Sequence, residues 1–150
     1  MTATDINEEV LEIARSKIYG CEAGFEKADA FDLNASSSRK FTAGLAAFWW
    51  SHLRKSEVRD FLFHFHQRLA PGALVVFMDN RFVAGSSTPI SRRDAGGNSY
   101  QLRKLEDGSE YEVLKNFPDE NEVRSVIGNS VAEIHWTELP YYWLLTYKLK

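Results

Sequence analysis

The residues best able to do chemistry stand just beyond short apolar runs. Asp79 and Asn80 follow the run Leu74 to Met78, and Trp49, Trp50 and His52 follow Phe41 to Ala47. Asp5 and Asp29 close two shorter extended stretches, at residues 2–4 and 25–28. In an open α/β sheet, ligands bind beyond the carboxyl ends of the strands. The spacing therefore sets carboxylates, an imidazole and two indoles where a ligand would lie. His52 can serve as a general base, against the commoner case of a surface or hydrogen-bonded histidine. Asp5 can equally act only as an acceptor at a helix entry, and Asp29 as a turn-stabilising residue. Two adjacent tryptophans cannot easily both face a core, so one is expected to line a pocket. His64 and His66 lie two apart on a helix and diverge, so they do not make a metal pair. With one cysteine, Cys21, and scattered histidines that include His135, no metal site is expected. Arg92-Arg93 with Arg103-Lys104 reads as a solvated face that can also receive an acidic substrate.

The elements that must position these residues follow from periodicity and punctuation. Residues 2–4 read as a strand ending at Asp5. Asn7 then caps a helix carrying Val10, Leu11, Ile13 and Ala14, which stops near Gly20. A short strand over 25–28 precedes a polar loop over 34–40. Phe41 to Ala47 reads as a buried strand. Ser56 is expected to cap a helix in which Val58, Phe61, Leu62, Phe65 and Leu69 recur at helical spacing. Pro71 and Gly72 end it in a tight turn. The unbroken apolar run Leu74 to Met78 then reads as a strand covered on both faces. Tyr100 to Leu105 and Tyr111 to Phe117 flank Glu106-Asp107-Gly108-Ser109, a hairpin signal. Asp119 and Glu122 form a capping box for a helix through Val123, Val126 and Ile127, closed near Gly128. Residues 131–136 and 141–149 make the last two strands. The alternating first part implies a parallel sheet, and the final pair an antiparallel edge.

The stretch from Arg68 to Asn80, with its Leu-Ala-Pro-Gly turn, resembles the fifth-strand motif of class I S-adenosylmethionine (SAM)-dependent methyltransferases. The resemblance extends over nearly the whole chain. It implies that Asp5 ends the second strand of that fold and grips the ribose hydroxyls of the cofactor. A carboxylate can accept two hydrogen bonds from a vicinal diol. It further implies that Ile6 packs on the adenine, and that Asp29 and Ala30 lie near its amino group with Phe31 as a ring neighbour. Phe48 stands at the methionine end of the cofactor, and Trp49, Trp50 and His52 at the substrate mouth. Residues 131–149 match the closing strand pair. The first strand and its G-x-G-x-G loop have no counterpart, since none of the nine glycines lies in such a motif and Gly96-Gly97 stands elsewhere. The implied fold is α/β, a Rossmann-like mostly parallel sheet with an antiparallel C-terminal pair, truncated at its N-terminus. One partial domain over 1–150 is expected, with a hairpin insertion at about 99–117. The implied activity is methyl transfer from SAM to a small-molecule acceptor. No Asn/Asp-Pro-Pro-Tyr motif follows Ala47, which disfavours DNA bases and protein glutamine as acceptors.

Bulk properties narrow the remaining classes. The net charge of −3 across 150 residues gives no global basic field, so no nucleic-acid partner is expected. A chain of this length buries about 70% of its unfolded surface, enough for a real core. No apolar run approaches the ~18 residues of a membrane span, so no membrane partner is expected. Nothing at the start reads as a signal peptide, and one cysteine fits a reducing compartment, so the expected location is cytoplasmic. A rival reading is a non-catalytic scaffold or interaction domain with an incomplete cofactor site. A nicotinamide oxidoreductase also uses an acid after its second strand, but the Leu-Ala-Pro-Gly turn and the final strand pair disfavour it. A sheet lacking its central strand is expected either to pair its two flanking strands directly or to self-associate, and exposed edges favour the second.

Overall fold

A computed structural model describes residues 1–33 and 40–150. Residues 34–39, which hold Ser36 to Ser38 and most of the expected polar loop, lie outside the described residues. Strands β1 (Thr2–Asp5) and β2 (Gly24–Lys27) pair in parallel as a two-stranded sheet, with α1 (Glu8–Arg15) as their crossover. A four-stranded sheet has the order β3 (Phe41–Ala47), β4 (Leu69–Asn80), β9 (Tyr142–Leu149), β8 (Val131–Glu138). Its β3–β4 pair is parallel and the other two pairs antiparallel. Helices α2 (Val58–Gln67) and α3 (Glu120–Ile127) pack on this sheet. A separate three-stranded sheet has the order β5 (Arg92–Arg93), β6 (Ser99–Lys104), β7 (Glu110–Leu114) and lies between β4 and α3 in the chain.

Local chemistry sets most of the boundaries. Asn7 caps α1 by accepting from the Glu9 amide. Asp119 and Glu122 close a reciprocal capping box on α3, and Gly128 ends that helix at φ 68°. The α2 entry differs from expectation. Glu57 holds the cap position, and its carboxylate accepts from the Arg54 amide, so Ser56 makes no cap. The Pro71-Gly72 turn is present, with Gly72 at φ 77°, but as an excursion inside β4. Phe41 pairs with Leu69 and Ala43 with Leu74, so a step of two residues along β3 matches a step of five along β4.

One face of the four-stranded sheet holds the core. Val75 opposite Tyr147, Phe77 opposite Leu145 and Asp79 opposite Trp143 are all fully buried. Phe61 and Leu62 of α2 and Val123 and Ile127 of α3 cover them. The opposite face corrects the expectation of a strand covered on both sides. There Leu74 is 43% exposed and Leu45 of β3 is 68% exposed. Val76 and Met78 are half-buried. Among the described residues no helix covers that face. Periodicity alone cannot reveal this, because Leu74 to Met78 is equally apolar on both of its sides.

The gap between the two parallel units stays open. β1 and β3 belong to different sheets, and an open trough of about 720 Å³ lies between them. Met1, Thr2, Thr4, Phe41, Gly44 and Leu69 are among its lining. Direct pairing of the two flanking strands therefore does not occur in this structure.

The three-stranded sheet is fixed at its base. The Asp94 carboxylate accepts from the Asn98 amide, from Asn98 Nδ2 and from the Tyr100 hydroxyl at 2.9–3.1 Å. The Asn98 bonds, then the tyrosine bond, hold this half-buried acid down to about 2. A carboxyl depressed on folding stabilises fully above its unfolded value and loses that contribution as pH falls through its folded value. The Asn98 side-chain resonances are therefore expected to titrate with a midpoint near pH 2. A midpoint at the ordinary 3.8 would remove the network.

Candidate functional site

The carboxyl ends of the parallel strands carry the expected residues. Asp5 ends β1, and its Oδ1 accepts from the Asn7 amide at 2.8 Å. It thus makes the helix-entry bond, while its second oxygen has no hydrogen bond among the described residues. Ile6 beside it is 60% exposed. Asp29 lies two residues beyond β2, and its Oδ1 accepts from the Phe31 amide at 2.8 Å, a turn-stabilising bond. Phe31 turns inward and meets Phe61 edge-on at 6.3 Å. Ala30 also packs against the core.

Beyond β3 the backbone bends at Phe48, whose φ of 56° is left-handed. Strain of this kind concentrates at functional sites. It leaves the Phe48 ring exposed, edge-on to Tyr142 at 5.8 Å. Trp49 tilts against Phe61 at 6.2 Å and is half-buried. Trp50 lies deeper in the same core. It is 4% exposed and packs edge-on against Phe77 and Trp143. Both indoles therefore pack on one core, against the expectation that one would leave it, and of the two Trp50 borders a small cavity with Leu53 and Val58.

His52 enters a polar cluster that sequence reading did not assemble. Asp79 is fully buried, and its Oδ2 accepts from the Ser51 amide at 2.8 Å. Its Oδ1 accepts from the Asn80 amide at 2.7 Å. Lys115, just past β7, donates to Ser51 Oγ at 2.7 Å and to Asn80 Oδ1 at 2.9 Å. Its ammonium lies 3.5 Å from Asp79 Oδ1 and 3.5 Å from His52 Nε2. Burial pushes the Lys115 ammonium down, and the Asp79 charge opposes that. Burial, then the Lys115 charge, pushes His52 down, while Asp79 and a bond to the Leu114 backbone oppose it. Asn116 completes the anchor by donating to the Leu53 and accepting from the Ser99 backbone. The available signal for this cluster was a lone lysine within Val113-Leu114-Lys115-Asn116-Phe117.

Other candidates fall elsewhere. His66 bonds the Tyr147 hydroxyl at 2.6 Å across the core. His64 lies near Asp60. His135 lies in β8. Arg92 is held by Glu112 and lies over the Tyr100 ring, and Arg103 donates to Gln101 and Thr88. No helix among the described residues is long and apolar enough to cross a membrane.

No family model and no curated protein matches the sequence. Solved structures do match the fold. The DhpI–SAH complex is 21% identical, with a TM-score of 0.71, covering 99% of this chain and 65% of that one. PH0226 protein from Pyrococcus horikoshii OT3 is 17% identical with a TM-score of 0.75, covering 99% and 73%. SAM-bound CalS10, an amino pentose methyltransferase from Micromonospora echinaspora, is 16% identical with a TM-score of 0.68, covering 99% and 73%. This chain thus spans about two thirds of the length of the first of these.

Proposed function

Given this class I methyltransferase fold, we propose that the chain serves SAM-dependent methyl transfer to a small-molecule acceptor. One observation carries the reading. The carboxyl ends of parallel strands place Asp5, Asp29 and the bent Phe48 along the edges of a fold shared over 99% of the chain with SAM-bound CalS10 and the DhpI–SAH complex. In this reading the free oxygen of Asp5 takes the ribose hydroxyls and Ile6 covers the adenine. Asp29, Ala30 and Phe31 border the adenine edge, and Phe48 borders the methionine end. Trp49 and His52 face the acceptor. Trp50 supports them from within the core.

Methyl transfer displaces a neutral thioether from a sulfonium, so the protein chiefly aligns the acceptor and excludes water. An acceptor that still carries its proton needs a base, and His52 is placed for that role. The single cysteine and the net charge of −3 support a cytoplasmic setting and no nucleic-acid partner. The scaffold reading keeps one favourable observation, the trough beside β3, where the site has no wall.

The test uses the longest natural polypeptide containing these residues. Calorimetric titration should show SAM binding, weakened by Asp5→Ala. Losing one charge-assisted hydrogen-bonding group costs about 1.5–3 kcal/mol, which is about 10- to 150-fold in Kd. Equal affinities would remove Asp5 from the site. No SAM binding by that polypeptide would defeat the methyl-transfer reading and favour the scaffold.

A further inference from the structure

The trough between β1 and β3 is bounded by main chain on both sides. Its lining takes consecutive residues from each strand, Thr2 to Thr4 from β1 and Phe41 to Leu45 from β3. A strand that turned a face to the trough would contribute alternate residues, because successive side chains point to opposite faces. Each strand therefore presents its hydrogen-bonding edge. The ladder bonds fix which groups lie on that edge. The Met1 and Asp5 carbonyls accept from the Gly24 and Ala28 amides on the β2 side. By the alternation of a strand, Thr2 and Thr4 turn their N–H and C=O groups to the trough. The Phe48 amide donates to Met78 of β4, so Ala43 and Leu45 turn theirs to the trough in the same way.

The space between the two edges fits one further strand. A strand as long as β1, rising about 3.3 Å per residue in a layer about 4.8 Å wide and about 10 Å thick, fills about 630 Å³. The trough holds about 720 Å³. A helix of the same length and about 10 Å diameter needs about 1,000 Å³. One wall is apolar. At Gly44 a Cβ would stand 2.7 Å from Phe65 Cζ and 3.1 Å from Leu69 Cδ1. The missing side chain lets both residues close over β3 and reach the trough lining.

We propose that the trough captures an extended, mainly apolar segment of a second, different polypeptide, which pairs with β1 on one edge and β3 on the other. Alternate residues of the segment pack on Phe65 and Leu69, and those between them face the side that carries Leu45 and Val76. The occupant must have both of its own edges free. Every described strand of this chain already pairs on at least one edge, so a second copy can abut one side of the trough and cannot enter it. Without the segment, each edge is left to that lateral pairing. Capture joins the two-stranded and four-stranded sheets into one. It requires neither SAM nor an acceptor, so it stands apart from the methyl-transfer reading.

The probe is a synthetic peptide with Val-Thr-Val-Thr-Val at its centre and lysines at both ends, added to the dilute chain without SAM. Hydrogen exchange followed by NMR should slow at the Thr4 and Leu45 amides together, by about tenfold or more. The same peptide N-methylated at alternate residues keeps its apolar side chains and loses ladder donors, and should protect neither amide. Leu45→Pro removes the β3 donor at an edge position where proline is tolerated, and should weaken peptide binding by about tenfold. No binding, protection of Thr4 or Leu45 alone, or equal binding of the methylated peptide overturns the proposal. Should Leu45→Pro fail to fold, the methylated peptide makes the same test from the other side of the ladder.

Discussion

Titrated with SAM, the 150-residue chain by itself should bind weakly, with Kd above the micromolar range or with no detectable heat. The cofactor's methionine end carries an ammonium and a carboxylate, and a carboxylate needs clustered donors. Backbone amides at a glycine-rich turn supply them in dinucleotide-binding folds. Here the trough between β1 and β3 is lined mainly by strand edges and apolar residues, Phe41, Leu45, Phe65 and Leu69 among them, and its one arginine, Arg68, lies over the Phe41 ring. The residues left for the cofactor, Asp5, Ile6 and Asp29, stand on the two-stranded sheet across the trough. Asp5 and Asp29 each spend one oxygen on their own turn. Two carboxylate contacts at about 1.5–3 kcal/mol each fall short of the ~8 kcal/mol that micromolar binding requires. Micromolar or tighter binding by the purified chain would show that the trough supplies donors of another kind.

Legibility in the sequence followed the range of the interactions. The Asp119 and Glu122 box, the Asn7 cap and the turn at Asp107-Gly108 each depend on partners within four residues, and each stands where spacing places it. Asp5 and Asp29 were likewise placed by the strand ends they follow. Three features escaped. The open face of β4 escaped because exposure of Leu74 depends on which layers are present, and its own sequence is apolar throughout. The Lys115 cluster escaped because Ser51 and Lys115 lie 64 residues apart. The depth of Trp50 was left open because which of two neighbouring indoles lies deeper depends on Phe77 and Trp143.

Purified at high concentration, the chain should scatter light as a dimer or larger species rather than at its 17.2 kDa monomer mass. Two features drive this. The trough-facing edges of β1 and β3 have no strand partner among the described residues, and such edges template pairing with another chain. The uncovered sheet face presents registered rows: Ala43 beside Leu74, Leu45 beside Val76 beside Thr146, and Ala47 beside Met78 beside Leu144. Burying an exposed leucine gains about 1.5–3 kcal/mol. Leu45 and Leu74, 68% and 43% exposed, then contribute about 3–7 kcal/mol from two copies. Association costs about 4–15 kcal/mol in lost freedom. The two ranges overlap, so the leucines alone do not secure a dimer, and hydrogen bonds along the seven-residue β3 edge must tip it. That makes the dimer sensitive to one charge. Leu45→Lys places an ammonium on the edge strand, the device natural sheets use against pairing, and should return the particle to monomer mass. A second copy is also the occupant that leaves the cofactor residues as they are, since Asp5 and Asp29 point beyond the strand ends rather than into the trough lining. Monomer mass at every concentration, with a single cooperative unfolding transition, would sink self-association and leave the sheet face bare in solution.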